Sequence, residues 1–260
     1  MRLDLDRPRV FGELVSTTFA LFWQHLAVFL SLTLMVVAPF VIAVDGVWGG
    51  ALAHAGKVES TTSAATLASS ALAVLIIPPL VTALHVAVVL GLGRGEEPTV
   101  ADALRRAGPR LLPAVAAVAL YTVGVAVGFL LLIVPGVWLL VRWYFAAQAV
   151  VVDGLSPPAA LRRSAELVKG LWWRTFGVLL GFGLMAAVLG GLGNAIVSQI
   201  HTGWLYVTGE IVVRAVVLSL SAIFGTLLFF DCRARAGVRS APTAPVDPLA
   251  PERPGPPPGI

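Results

Sequence analysis

Six stretches of this chain are apolar for long enough to cross a lipid bilayer, and nothing else in the sequence restricts its fold as much. They are Leu26–Val44, Ala65–Leu92, Leu111–Val134, Gly136–Val152, Phe176–Ile200 and Leu205–Phe230. A helix rises about 1.5 Å per residue, so roughly 20 apolar residues cover about 30 Å of hydrocarbon. Inside a bilayer the backbone must satisfy its own polar groups, and runs that are continuously apolar rather than alternating specify helices. Only 12% of the 260 residues are charged, against about 25% in a soluble domain. Water could not solvate such a surface. The expected fold is all-α, a polytopic membrane protein with six transmembrane helices arranged as three hairpins, each preceded by a cytoplasmic amphipathic surface helix.

The third and fourth stretches are separated only by Pro135-Gly136. Proline cannot continue the hydrogen-bond ladder and glycine accepts unusual backbone angles, so this dipeptide is expected to turn the second hairpin. One kinked helix of about 40 residues would overshoot the bilayer.

Basic residues set the orientation. Arg2, Arg7 and Arg9 precede the first stretch, and Arg94, Arg105, Arg106 and Arg110 precede the third. Arg162, Arg163, Lys169 and Arg174 precede the fifth, and Arg233, Arg235, Arg239 and Arg253 follow the sixth. The intervening segments hold only Lys57. By the positive-inside rule both termini face the cytoplasm. Trp23, Trp172 and Trp173 fall at inner span ends, and Trp48, Trp138 and Trp204 at outer ones, as an aromatic belt requires. The low lysine content and the abundance of Ala, Gly, Arg and Pro suggest a GC-rich bacterial genome, hence an inner (plasma) membrane. No short apolar core with a small-residue cleavage site follows the first arginines, so the first span is expected to remain as an anchor.

Ala103-Leu104-Arg105-Arg106-Ala107 recurs as Ala160-Leu161-Arg162-Arg163-Ser164. Thr99 with Asp102 is a capping-box pattern, and Ser156 precedes Pro157 at a first helical position. Each copy precedes two apolar stretches, and Val10–His25 occupies the same place before the first pair. The chain therefore reads as three similar units, with 1–25 a cytoplasmic amphipathic segment, 26–236 the membrane domain and 237–260 a disordered Pro-rich cytoplasmic tail. Arg105, Arg106, Arg162, Arg163 and Lys169 are candidate contacts for anionic lipid headgroups. Gly183, Ala187, Gly191 and Ala195, and likewise Gly124 and Gly128, form small-residue stripes. These stripes would pack helices within the chain or against a second copy in a homodimer.

Chemistry-bearing residues are few. The net charge of +4 follows from orienting arginines and gives no case for nucleic acid. Cys232 is the single cysteine, so no internal disulfide or thiolate metal site can form. His25, His54, His85 and His201 share no ligand spacing, and no metal or cofactor is expected. Asp153 and Glu166 could be imagined as a catalytic pair, but capping and solvation explain them more simply. Charges inside spans need a reason: Arg142, Glu210 and Arg214. Arg142 and Glu210 each lie six residues from an outer end, roughly 9 Å deep. This depth allows an Arg142–Glu210 ion pair, and Glu210 and Arg214 share a helix face. The same three residues could instead line a cavity.

The run VPGVWLLVRWYFAAQAVVVDG, followed by AALRRSAELVKGLWWRTFG, resembles the membrane domain associated with glycerophosphoryl diester phosphodiesterases. Phe11-Gly12-Glu13-Leu14 ahead of an aromatic segment fits that family too. The resemblance covers roughly residues 8–236. It implies a membrane domain that can be fused to a catalytic barrel, and a barrel needs about 250 residues, for which this chain has no room. None of the enzyme's catalytic residues has a position here. The expected function is that of a non-catalytic membrane anchor, scaffold or accessory factor in lipid or envelope metabolism, with membrane lipids and a cytoplasmic-face protein as partners. The alternative is a small transporter or lipid-handling protein whose cavity is lined by Arg142, Glu210 and Arg214.

Overall fold

The computed structural model of the protein describes residues 3–5, 7–42, 61–200 and 203–240. Lys57, Trp48, His54 and His201, and the Pro-rich stretch 241–260, lie outside them. Of the described residues 86% are helical and none is in a strand. The helices are α1 (Phe11–Gln24), α2 (Leu26–Val41), α3 (Thr61–Gly93), α4 (Val100–Leu131), α5 (Ile133–Arg142), α6 (Ala146–Asp153), α7 (Pro157–Val168), α8 (Trp172–Val197) and α9 (Gly203–Ser240). Five spans are long and apolar enough to cross a membrane, or six if the bent pair α1–α2 is one of them.

The core is concentrated around the second half of α9. Ile223, Phe224, Leu227, Leu228 and Phe229 are all fully buried, so the helix is apolar on every side because every side is packed. Phe182 of α8 stacks on Phe224 with ring centroids 3.8 Å apart, and Phe11 of α1 meets the same ring edge-on. A hydrogen-bonded group ties α2, α3 and α9 together. Thr33 Oγ1 lies 2.7 Å from Ser219 Oγ and 3.4 Å from His85 Nε2, while His85 Nδ1 is 2.8 Å from the Val81 carbonyl. His85 stacks on Phe29 and is a hydrogen-bonded packing residue.

Packing thins towards the other end of the bundle. Leu130, Leu131, Val134, Leu184, Leu192, Ile196 and Trp204 are all more than half exposed. An apolar surface of that extent belongs in a nonpolar surrounding.

The structure departs from the expected pattern in several places. The turn between the third and fourth apolar stretches is at Leu132, whose backbone is extended, and not at Pro135-Gly136. Those two residues lie in the first turn of α5, where a backbone N–H has no helical partner to lose and proline is tolerated. Gly136 instead serves packing. A Cβ on Gly128 of α4 would lie 3.0 Å from the Gly136 Cα, so the two helices touch backbone to backbone.

The fourth stretch is also broken. Helix α5 stops at Arg142 and α6 resumes at Ala146, giving a 21-residue span in two pieces.

The expected second surface helix is not a separate element. Its Thr99 cap forms as anticipated, with Thr99 Oγ1 accepting from the Asp102 N–H at 3.2 Å, but the helix then runs unbroken from Val100 to Leu131. Pro109 and Pro113 lie inside it and do not end it. The first unit bends by 87° between α1 and α2.

Finally, Gly183, Ala187, Gly191 and Ala195 of α8 are exposed, and a Cβ on Gly183 or Gly191 would meet no described residue within 4 Å. The close approach of α8 and α9 runs through Gly193, where a Cβ would meet Val213 at 2.8 Å, and Gly209, where it would meet Val197 at 2.9 Å. Helix α9 continues to Ser240, past the boundary expected at 236.

Candidate functional site

Arg9, Arg174 and Arg235 come together where the start of α1, the start of α8 and the end of α9 meet. Asp231 of α9 is fully buried there. Its Oδ2 lies 2.6 Å from Arg174 Nη1, and both its oxygens accept from Arg235 Nε at 3.1 and 3.2 Å. The backbone N–H of Arg9 donates to its Oδ1 at 2.6 Å. Arg174 and Arg235 each also donate to the Arg9 carbonyl at 2.9 Å. One carboxylate thus fastens three chain segments that lie far apart in sequence.

Arg9 also brings its own charge to this cluster, with Asp4, Asp231 and Glu13 as the nearby carboxylates. The Arg9 side chain is also buried, and its Nη2 donates to the Asp4 carbonyl. Its Nε and Nη1 have no hydrogen-bond partner among the described residues. Burial pulls this guanidinium below its usual pKa, and the neighbouring Arg7 adds to the effect. Beside the cluster lies a groove of about 270 Å³ lined by Phe11, Trp173, Arg174, Gly177, Val178 and Gly181.

A second cluster forms where α6 ends. Asp153 pairs at 3.3 Å with both Arg163 of α7 and Arg233 of α9. The helix closes on Gly154 with φ +67, a left-handed cap that glycine adopts without steric cost. Its carbonyl accepts from Arg110 Nη1 at 3.1 Å. Nearby, Glu96 pairs with Arg106 at 2.6 Å and with Arg94 at 4.0 Å.

These clusters and the bundle between them fall almost wholly within one recognisable unit. The family described as Domain of unknown function (DUF7847) matches residues 10–231. The chain belongs to the DUF7847 family. No curated protein matches, and neither does any solved structure. The DUF7847 unit begins at the N-cap of α1 and ends on Asp231, so the carboxylate of the first cluster closes it.

Within the DUF7847 unit the residues singled out from the sequence are dispersed. Glu210 and Arg214 pair along α9 at 3.6 Å. Arg142 is not paired with Glu210. Its guanidinium lies over the Trp138 ring, 4.6 Å from the centroid, a cation–π contact made within α5. Equal depth in two helices says nothing of which faces meet. Among the candidate lipid contacts, Arg105 pairs with Asp102 at 2.8 Å but keeps a side chain 77% exposed, while Arg106 and Arg163 are held by Glu96 and Asp153. Arg162 is exposed, and so is Lys169. Glu166 pairs with Arg163 at 3.6 Å. No group of three His, Cys, Asp or Glu among the described residues could hold a metal ion.

Two features escaped the sequence reading. Asp231 carried one signal, a carboxylate ending the apolar run Leu227–Phe230 just before two arginines. The other is Ser164. Its Oγ donates to the Arg142 carbonyl at 2.9 Å and accepts from the Phe145 N–H at 3.1 Å, so a side chain of α7 fills the break between α5 and α6. The repeat Ala-Leu-Arg-Arg pointed to this helix, but through its arginines.

Proposed function

We propose that this protein is a non-catalytic, multi-pass membrane anchor or scaffold whose arginine-rich end lies at the cytoplasmic face against anionic phospholipid. The observation that carries this reading is the arginine-rich end itself, where Arg174 and Arg235 flank Asp231 and Arg9 Nε and Nη1 have no hydrogen-bond partner among the described residues. A phosphate is the membrane's own counter-charge for guanidinium groups. The groove beside Arg174 offers apolar lining for the chain attached to it. Asp153 and Glu166, the carboxylates weighed for hydrolysis, both pair with Arg163, which supports the non-catalytic reading. The resemblance to the phosphodiesterase-associated membrane domain supports a place in lipid metabolism without supplying an active site.

The test is native mass spectrometry of the full chain from nanodiscs of mixed headgroup composition. Phosphatidylglycerol should be retained over phosphatidylcholine, and the double variant Arg105→Gln/Arg162→Gln should narrow that preference. Each charge near an anionic surface contributes about 1 kcal/mol, roughly fivefold in affinity. Equal retention of both lipids would overturn the reading.

The orientation is tested separately by labelling single cysteines in a Cys232→Ser background. Gly95→Cys should react only after the cytoplasmic side is exposed, and Ser198→Cys from the outside of intact cells. The reverse pattern would invert the assignment.

A second reading, transport or lipid handling through Arg142, Glu210 and Arg214, has less support. Arg142 is engaged by Trp138, and the other two residues by each other.

A further inference from the structure

A cavity of about 180 Å³ lies among α3, α4, α9 and the broken α5–α6 span, away from the arginine clusters. Its polar lining consists of Thr82, Tyr121, Tyr144, Gln148 and Ser221, with Trp143 supplying an aromatic wall. Gln148 is only 4% exposed, and its Oε1 is buried without a hydrogen-bond partner. The hydroxyls of Thr82, Tyr121 and Tyr144 also make no hydrogen bond with another described residue. Polar groups in a packed interior are nearly always paired, and in hydrocarbon an unpaired one is costlier still. Gln148 Oε1 is the buried atom left unpaired, three hydroxyls share its space, and it is completed by something that enters the cavity.

The site has been given room. A Cβ on Gly225 would lie 3.1 Å from both Gln148 Nε2 and Tyr144 Oη, so the absence of a side chain there leaves space for the amide and the phenol. The break at Trp143–Phe145 turns this segment towards the space, and Ser164 holds the break.

The chemistry of an occupant follows from the lining. No Asp, Glu, Lys, Arg or His is in it. Thr82 and Tyr121 lie about 15 Å or more from the nearer end of their helices, while Gln148 is five residues, about 7.5 Å, from the Asp153 end of α6. The lining itself offers a charged headgroup no counter-charge. Gln148 Oε1 requires a donor, and hydroxyls can both give and accept. Tyr121, Trp143 and Ser221 are half-buried, so the cavity opens sideways at the level of the apolar surface.

We propose that this cavity binds the uncharged hydroxyl headgroup of a neutral molecule, with an alcohol O–H donating to Gln148 Oε1 and the hydroxyls of Thr82, Tyr121 and Tyr144 completing its shell. Two sources carry that chemistry, a neutral lipid alcohol from the bilayer and a free polyol from water. The proposal is independent of anionic lipid binding at the arginine-rich end.

The experiment uses the full chain in phosphatidylcholine nanodiscs, with dioleoylglycerol added in one arm and free glycerol in the other. Binding is read by native mass spectrometry. Dioleoylglycerol should bind saturably, one per chain. Gln148→Leu should weaken it about tenfold, the loss expected for one buried hydrogen bond, and leave phosphatidylglycerol retention as it was. Thr82→Val carries the same test with a smaller change of shape, should Gln148→Leu not fold. Saturable binding of glycerol alone, sensitive to the same substitutions, would assign the site to a free polyol and keep its chemistry. Saturable binding in neither arm, or binding unchanged in both variants, overturns the proposal.

Discussion

Asp231→Asn should be among the most damaging single substitutions in this chain, lowering stability by about 3–5 kcal/mol. The side chain keeps its shape and loses its charge. Arg174 and Arg235 are about a quarter exposed, at 25% and 29% of their side chains, while Asp231 is at 0%. Asparagine would leave these two guanidinium groups and the buried Arg9 facing one another with no counter-charge. Breaking a buried ion pair by removing one partner costs more than the pair itself contributes, because the remaining charge stays desolvated. The measurement is the unfolding midpoint of the full chain in nanodiscs. Glu13→Gln provides the contrast, since its pair with Arg7 is nearly half exposed on both sides and such pairs contribute little. A midpoint for Asp231→Asn equal to that of Glu13→Gln would mean that the three segments are held by their apolar packing alone.

Ser164→Ala should cost about 1–3 kcal/mol, the penalty for leaving buried backbone groups unsatisfied. The serine is fully buried and one oxygen serves both sides of the break. Without it the Arg142 carbonyl and the Phe145 N–H have no partner, and no water is available at this depth to replace it. Hydrogen exchange separates this effect from a general loss of stability. The amides of Trp143, Tyr144 and Phe145 should exchange faster in the variant, while those of Ile223–Phe229 in the core keep their protection. Uniform acceleration across both regions would show that Ser164 acts only through global stability.

Much of the fold was legible because a bilayer makes length and apolarity decisive. The apolar runs gave every long helix, and Thr99 with Asp102 gave the start of α4. The errors came where local chemistry has two solutions. Pro135-Gly136 can end a helix or begin one, and the Leu132 turn three residues earlier made it a beginning. Nothing in Trp143-Tyr144-Phe145 discourages helix strongly enough to forecast a break. That break depends on a serine nineteen residues later, a tertiary cause with no local signal. The Arg142–Glu210 pair was inferred from matched depth, which fixes height along a helix and leaves the direction around it free. The Asp231 cluster joins residues up to 226 positions apart, a separation that no spacing rule reaches. Gln148, in the run Ala146–Val150, was one polar residue among apolar ones, and only the packing shows that its amide is left without a partner.

The spans also differ in reach. The apolar part of α9 from Leu205 to Phe230 is roughly 39 Å long, whereas α5 and α6 together extend roughly 32 Å. Their arginine-rich ends are pinned together through Asp153 and Arg233, so the surplus cannot be taken up there. It appears at the far end, where Trp204 and Leu205 stand exposed. A membrane around this protein must be thicker beside α9 than beside α5, or α9 must tilt to shorten its projection. The molecule therefore asks of its membrane either a thickness gradient or room for its longest span to lean.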